Sequence, residues 1–269
     1  MLSATPSPAH FPDSSSEAMS LPPRSLDRQV LGNMGAGLII ALIAFYFPLL
    51  SITFHGMVTL VHEMGHAICA CILGHPAIPA FDLEFGGGVT PFFERSYALL
   101  LLIYSILAWL IYTFRKNKLT LGLLCAIVLF HALLVVTNWE LLAIAAMGHG
   151  FELVIATVFL YRGLTGMAVI NPLERPLYAA IGLFIVIWDI YFACQLLTNI
   201  DERADYLAGK GGIHTNDFAV LSLSMGISLN SVVIIFLLCC LFPLILSFLA
   251  FRYQAHMWWL FERVMLLEE

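Results

Sequence analysis

His62-Glu63-Met64-Gly65-His66 is an H-E-x-x-H motif set inside an apolar stretch. On a helix, residues four apart share a face, so both imidazoles can grip one Zn²⁺, with Glu63 about 100° round from His62 and near enough to act on metal-bound water. Zinc lowers the pKa of that water toward ~7, and the carboxylate can take its proton and later hand one to a leaving amine. The chemistry this spacing points to is peptide-bond hydrolysis. With nine His and eleven Glu in 269 residues, only about 0.01 accidental matches are expected. Two His and a Glu at mid-membrane also cost about a few kcal/mol each unless paired or liganded, which marks them as a site rather than a packing accident. The bland reading is a hydrogen-bonded polar cluster joining helices.

A hydrolytic zinc normally has a third protein ligand and one open position. The best candidates are Glu152 first and His149 second, in Met147-Gly148-His149-Gly150-Phe151-Glu152. They lie three apart on one face, and one can ligate while the other orients it. Gly148 and Gly150 would let helices approach closely. Asp189, a third carboxylate in an apolar run, is the next candidate. Asp217, near His214, reads more readily as a helix cap or a solvated loop residue than as a ligand. His55, His75 and His131 each stand alone and read as structural, and Asn230 reads as a helix cap.

The elements that must position these residues are helices in a membrane. The chain is 61% hydrophobic and 11% charged, with a mean hydropathy of +0.92, far from the soluble balance of ~45 to 50% against ~25%. A soluble enzyme is excluded. A net charge of −6 with no basic block excludes a nucleic-acid partner. The six cysteines fall in apolar runs with no metal-knuckle spacing and read as small hydrophobes.

Seven apolar windows, 31–53, 55–74, 97–114, 119–138, 139–161, 177–198 and 230–251, are each long enough to cross ~30 Å of hydrocarbon. Pro48 and Pro243 are kink points. The expected fold is all-α, a polytopic transmembrane helical bundle of about seven spans. A disordered leader over 1–29, rich in Pro and Ser, precedes a transmembrane domain over 30–255 and a C-terminal tail over 256–269. Between the second and third windows, Phe81 to Phe85 alternates apolar and polar residues before Gly86-Gly87-Gly88. This segment reads either as a short re-entrant strand able to pair with an extended substrate or as an ordinary Gly-rich turn. Counting alternate crossings puts Arg115, Lys116, Lys118, Arg162, Arg175, Arg252 and Arg263 on one side. It puts Arg24 and Arg28 on the other, against the positive-inside rule, unless an odd number of crossings separates residues 31 and 96.

With the H-E-x-x-H motif on a membrane helix and a Gly-rich segment after it, residues 55–92 resemble the site-2 protease family of intramembrane zinc metalloproteases. The resemblance implies His62 and His66 as zinc ligands and Glu63 as the acid/base. It also implies a membrane-embedded or membrane-adjacent protein segment as substrate and a multi-pass location, here expected in a bacterial inner membrane. The chain departs from the family in having no Asp-Gly pair to supply the last ligand, so His149 and Glu152 are expected to replace it in a divergent branch. Two other readings of the same residues are a noncatalytic membrane metal or proton transport protein and, from His149-x-x-Glu152, a membrane di-iron oxidase.

Overall fold

In the computed structural model, residues 23–84, 87–137, 139–209 and 216–265 are described. Residues 1–22 of the expected leader therefore lie outside the described residues, as do His214 and the start of the glycine run, Phe85 and Gly86. Among the described residues the fold is all-α apart from one small hairpin. Its helices are α1 (Arg28–Tyr46), α2 (Pro48–Ile72), α3 (Tyr97–Thr113), α4 (Lys118–Val136), α5 (Trp139–Thr165) and α6 (Glu174–Thr198). These are followed by α7 (Ile200–Ala208), α8 (Asp217–Met225), α9 (Leu229–Cys239), α10 (Phe242–Arg252) and α11 (Gln254–Met265).

Among the described residues, five segments are long and apolar enough to cross a membrane: α1, α4, α5, α6 and the α9–α10 pair. This is fewer than the seven windows, for physical reasons. Helix α3 has 17 residues, about 25 Å at 1.5 Å per residue, short of ~30 Å of hydrocarbon. Helix α2 is 25 residues long, but a polar face of His55, Thr59, His62, Glu63 and His66 dilutes its apolar content. The expected boundary between the first two windows also moves. The chain breaks at Phe47, which is extended (φ −90°, ψ 112°), and Pro48 opens α2, because a residue before proline avoids the helical region and proline is at home in a first turn. Pro243 sits in the first turn of α10, just past the break that ends α9 at Cys239. Ser228 caps α9 through the amide of Ser231. Asn230, expected as a cap, instead accepts a hydrogen bond from Arg203.

Helices α1, α5 and α6 form the centre, and small residues let them touch. A Cβ on Gly37 would lie 2.5 Å from that of Ala179, and one on Gly182 would lie 3.0 Å from the carbonyl oxygen of Ala156. Between α2 and α3, β1 (Ala80–Phe81) pairs antiparallel with β2 (Gly88–Val89), Ala80 opposite Val89 and Phe81 opposite Gly88. The Gly-rich segment is thus a hairpin, with an added bridge between Ala77 and Phe92. His131 is buried, with Nε2 donating to the Ile72 carbonyl at 2.8 Å and Nδ1 3.1 Å from the Tyr104 hydroxyl. His75 Nδ1 contacts the Phe93 carbonyl at 2.9 Å. Both fix the connection through the hairpin.

Hydrogen bonds between segments also sort the ends of the bundle. The amide of Arg24 donates to the Arg252 carbonyl at 3.0 Å, Arg175 donates to the Gly163 and Leu164 carbonyls, and Asn117 donates to the Arg263 carbonyl at 2.7 Å. These place the start of α1, the α3–α4 turn, the end of α5, the start of α6 and helix α11 at one end. At the opposite end, the amide of Ser96 donates to the Gly74 carbonyl at 2.8 Å and Arg95 pairs with Glu140. Helices α1 and α2 therefore progress together from the first end to the second. That is the odd count of passages needed to reconcile Arg24 and Arg28 with the other basic residues.

Candidate metal centre

One turn of α2 presents His62 and His66 to α5 because Gly65 allows close approach. A Cβ there would strike the backbone carbonyl of Met147 and lie 2.6 Å from the Cβ of Phe151. The two Nε2 atoms lie 3.0 Å apart. Asp217 Oδ2 is 2.9 Å from His62 Nε2 and 3.1 Å from His66 Nε2. For metal bonds of 2.0–2.2 Å, the edges of a tetrahedral site are ~3.3 Å, so the three separations are within a few tenths of an ångström of a ligand face.

The proton positions on the rings agree with that face. His66 Nδ1 lies 2.7 Å from the Ile144 carbonyl, which can only accept, so Nδ1 carries the hydrogen and Nε2 keeps its lone pair. Glu152 Oε1, 3.3 Å from His62 Nδ1, holds the other ring the same way. A carboxylate or carbonyl behind a ligating imidazole fixes its tautomer and raises its basicity. With both rings protonated at Nδ1, the two Nε2 atoms and Asp217 Oδ2 are all acceptors in a partly buried place, an arrangement that a cation between them would satisfy. Gly148 leaves the room: a Cβ there would stand 2.6 Å from His62 Nε2 and closer still to His66 Nε2. Gly148→Ala should accordingly purify without metal, whereas Gly150→Ala should keep it, since the nearest atom to a Cβ at Gly150 is the Met147 sulfur at 3.5 Å. Elemental analysis of the two proteins decides, and stoichiometric metal in Gly148→Ala would refute the assignment.

Asp217, expected as a helix cap or a solvated loop residue, is instead partly buried against both histidines. Asn216 occupies the cap position and Asp217 the first turn of α8. The start of α8 is pinned from α7: the Asn216 side chain donates to the Tyr206 carbonyl at 2.6 Å, and the amide of Phe218 donates to the Tyr206 hydroxyl at 2.9 Å. Phe218, 2% exposed, is stacked on the His149 ring at 4.6 Å, so burying that phenyl carries its neighbour Asp217 to the histidines.

His149 and Glu152, the expected source of the third ligand, lie on the other side of the His62 ring. Glu152, 3% exposed, spans His62 Nδ1 and His149 Nδ1, the latter at 2.7 Å. His149 is boxed by Phe192, Phe218 and Phe236. Among the described residues two groups have metal-compatible spacing, His62–His66–Asp217 and His62–His149–Glu152. In the first, the Nε2 atoms of both rings face Asp217 Oδ2. In the second, Glu152 already accepts from both of its imidazoles. Asp189, the other candidate, belongs to neither. It is 1% exposed beside Glu152, with Oδ2 unpartnered. His55 lies against Trp188, with ring centroids 4.2 Å apart.

Glu63 is buried, and its Oε2 accepts a 2.6 Å hydrogen bond from the Thr90 hydroxyl. The backbone of β2 lies against its side chain, where a Cβ on Gly88 would be 2.6 Å from the carboxyl carbon. Glu63, the three converging groups, Glu152, Asp189 and the β2 segment line one cavity of ≈ 690 Å³. Compared with protein-family models, with curated proteins and with solved structures, the chain matches none of them.

Proposed function

We propose that this membrane protein is an intramembrane zinc-dependent peptide hydrolase, a divergent relative of the site-2 proteases. His62 Nε2, His66 Nε2 and Asp217 Oδ2 would hold the metal, which when bound supplies a Lewis acid and a water acidified to near neutrality. Glu63 takes a proton from the attacking water and returns one to the leaving amine. Thr90 orients that carboxylate. Glu152 and His149 hold His62 in its ligating tautomer. The substrate is a protein segment embedded in or next to the bilayer, drawn out as an extended strand along the β1–β2 hairpin, whose β2 backbone already touches Glu63.

The observation that carries this reading is the mutual approach of three acceptor atoms, within 3.1 Å of one another, in the cavity that Glu63 also lines. The buried, half-satisfied Asp189 favours a rival, metal or proton transport, because unpartnered carboxylates inside membrane bundles build relays. Purified protein in detergent micelles, incubated with a panel of membrane-spanning peptides, separates the two. Bound zinc near one per chain, cleavage abolished by a chelator and cleavage restored by added zinc are expected. Metal-free protein, or hydrolysis indifferent to chelation, would sink the proposal.

A further inference from the structure

The ends of the bundle differ in charge as well as in architecture. Of the eleven described Lys and Arg residues, nine gather at one end: Arg24, Arg28, Arg115, Lys116, Lys118, Arg162, Arg175, Arg252 and Arg263. The two at the opposite end are engaged locally, Arg95 by Glu140 and Arg203 by Asn230. Lys and Arg in short loops decide orientation, with little contribution from acids, and they stay in the cytoplasm. Helix α11 adds to the same assignment. It lies across the basic end, tied to the α3–α4 turn by Asn117 and Thr120, with Trp258 and Trp259 among its residues, as an interfacial helix does.

The cavity sits toward the other end. Gly148 is nine residues from Trp139 at the start of α5 and seventeen from Thr165 at its end, about 13 Å against about 25 Å of helix. Every non-spanning element that lines it, namely β2, Tyr206 of α7 and Asn216 with Asp217 at the head of α8, belongs to the sparsely basic end.

We propose that the site is served from the noncytoplasmic side of the membrane. Its substrates are then membrane-anchored proteins cut in the outer part of the bilayer, with the outer portion released away from the cytoplasm. This deepens the hydrolase reading and rests on it for the cleavage. The sidedness rests on charge and geometry alone.

Single cysteines at exposed positions test it in intact cells with a membrane-impermeant maleimide, the wild-type chain giving the background of its six native cysteines. Asp201→Cys and Glu94→Cys should label before permeabilisation, and Lys116→Cys should show no labelling until the membrane is opened. The reverse pattern, or labelling of all three from one side, overturns the proposal. Two acidic-end positions are included so that loss of one variant leaves a reading, and detergent-solubilised protein verifies that each thiol reacts. Labelling as expected in a protein without zinc or cleavage would leave the sidedness standing and remove the hydrolase, whereas zinc-dependent cleavage with reversed labelling would do the opposite.

Discussion

Glu63→Gln should bind zinc as the wild type does and yet cleave nothing measurable. The amide has nearly the shape of the carboxylate and can still accept from the Thr90 hydroxyl that now reaches Oε2 at 2.6 Å, so the packing of β2 against α2 is retained. What is lost is basicity, since Gln can neither take a proton from water nor return one to an amine. Removing a positioned general acid/base costs about 10² to 10⁴ in rate, and the same group serves both halves of the reaction here. Thr90→Val should cost less, because the carboxylate remains and loses only its orienting hydrogen bond. Single-turnover cleavage of a membrane-spanning peptide beside zinc content from the same preparation makes the comparison. Retained cleavage in Glu63→Gln would transfer the proton role to another group and discredit the H-E-x-x-H reading. Loss of zinc from that variant would show that Glu63 acts on the metal itself.

Much of this site is legible along the chain because its first half is local. Two histidines one helical turn apart and the glycine between them need no tertiary information to share a face, and Gly65 does bring α2 against Met147 of α5. The third contact is not local. Asp217 lies 151 residues beyond His66, and its placement depends on Tyr206 gripping Asn216 and on Phe218 stacking over His149. No period or spacing encodes those contacts. An acidic residue in a polar loop just before an apolar helix is most often a cap or a solvated residue, so the sequence alone favours that ordinary reading. The His149–Glu152 pair was visible as a polar face three residues apart. Which edge of His62 it would meet depends on how α5 rotates against α2. The side of the N-terminus, open in the sequence between an even and an odd number of crossings, depends on packing in a similar way. Counting apolar windows assumes that each crosses, whereas the contacts at the start of α1 and the end of α2 put those points at opposite ends of the bundle, so Arg24 and Arg28 lie at the basic end.

Asp217→Ala and Glu152→Ala separate the two carboxylates that meet the His62 ring. If Asp217 Oδ2 is a ligand, its removal leaves two imidazoles, and the zinc found after purification should fall from near one per chain to a trace. Glu152→Ala leaves all three ligand atoms in place. Its cost is the freedom of the His62 ring to flip or to carry its proton on Nε2, and such losses behind a ligand are about 10- to 100-fold in metal affinity. Zinc should therefore survive in Glu152→Ala when the ion is in excess and vanish on competition with a moderate chelator. Glu152→Gln should restore most of the affinity, because its carbonyl can still accept from His62 Nδ1, 3.3 Å away in the parent. A ligating Glu152 predicts the inverse order, with Glu152→Ala empty, Glu152→Gln little better, and Asp217→Ala holding zinc through His62, His149 or His66. Chelator-competition titrations of the three variants thus rank the carboxylates directly. They also decide whether the last ligand comes from the spanning helix α5 or from the short helix α8 docked at the mouth of the cavity.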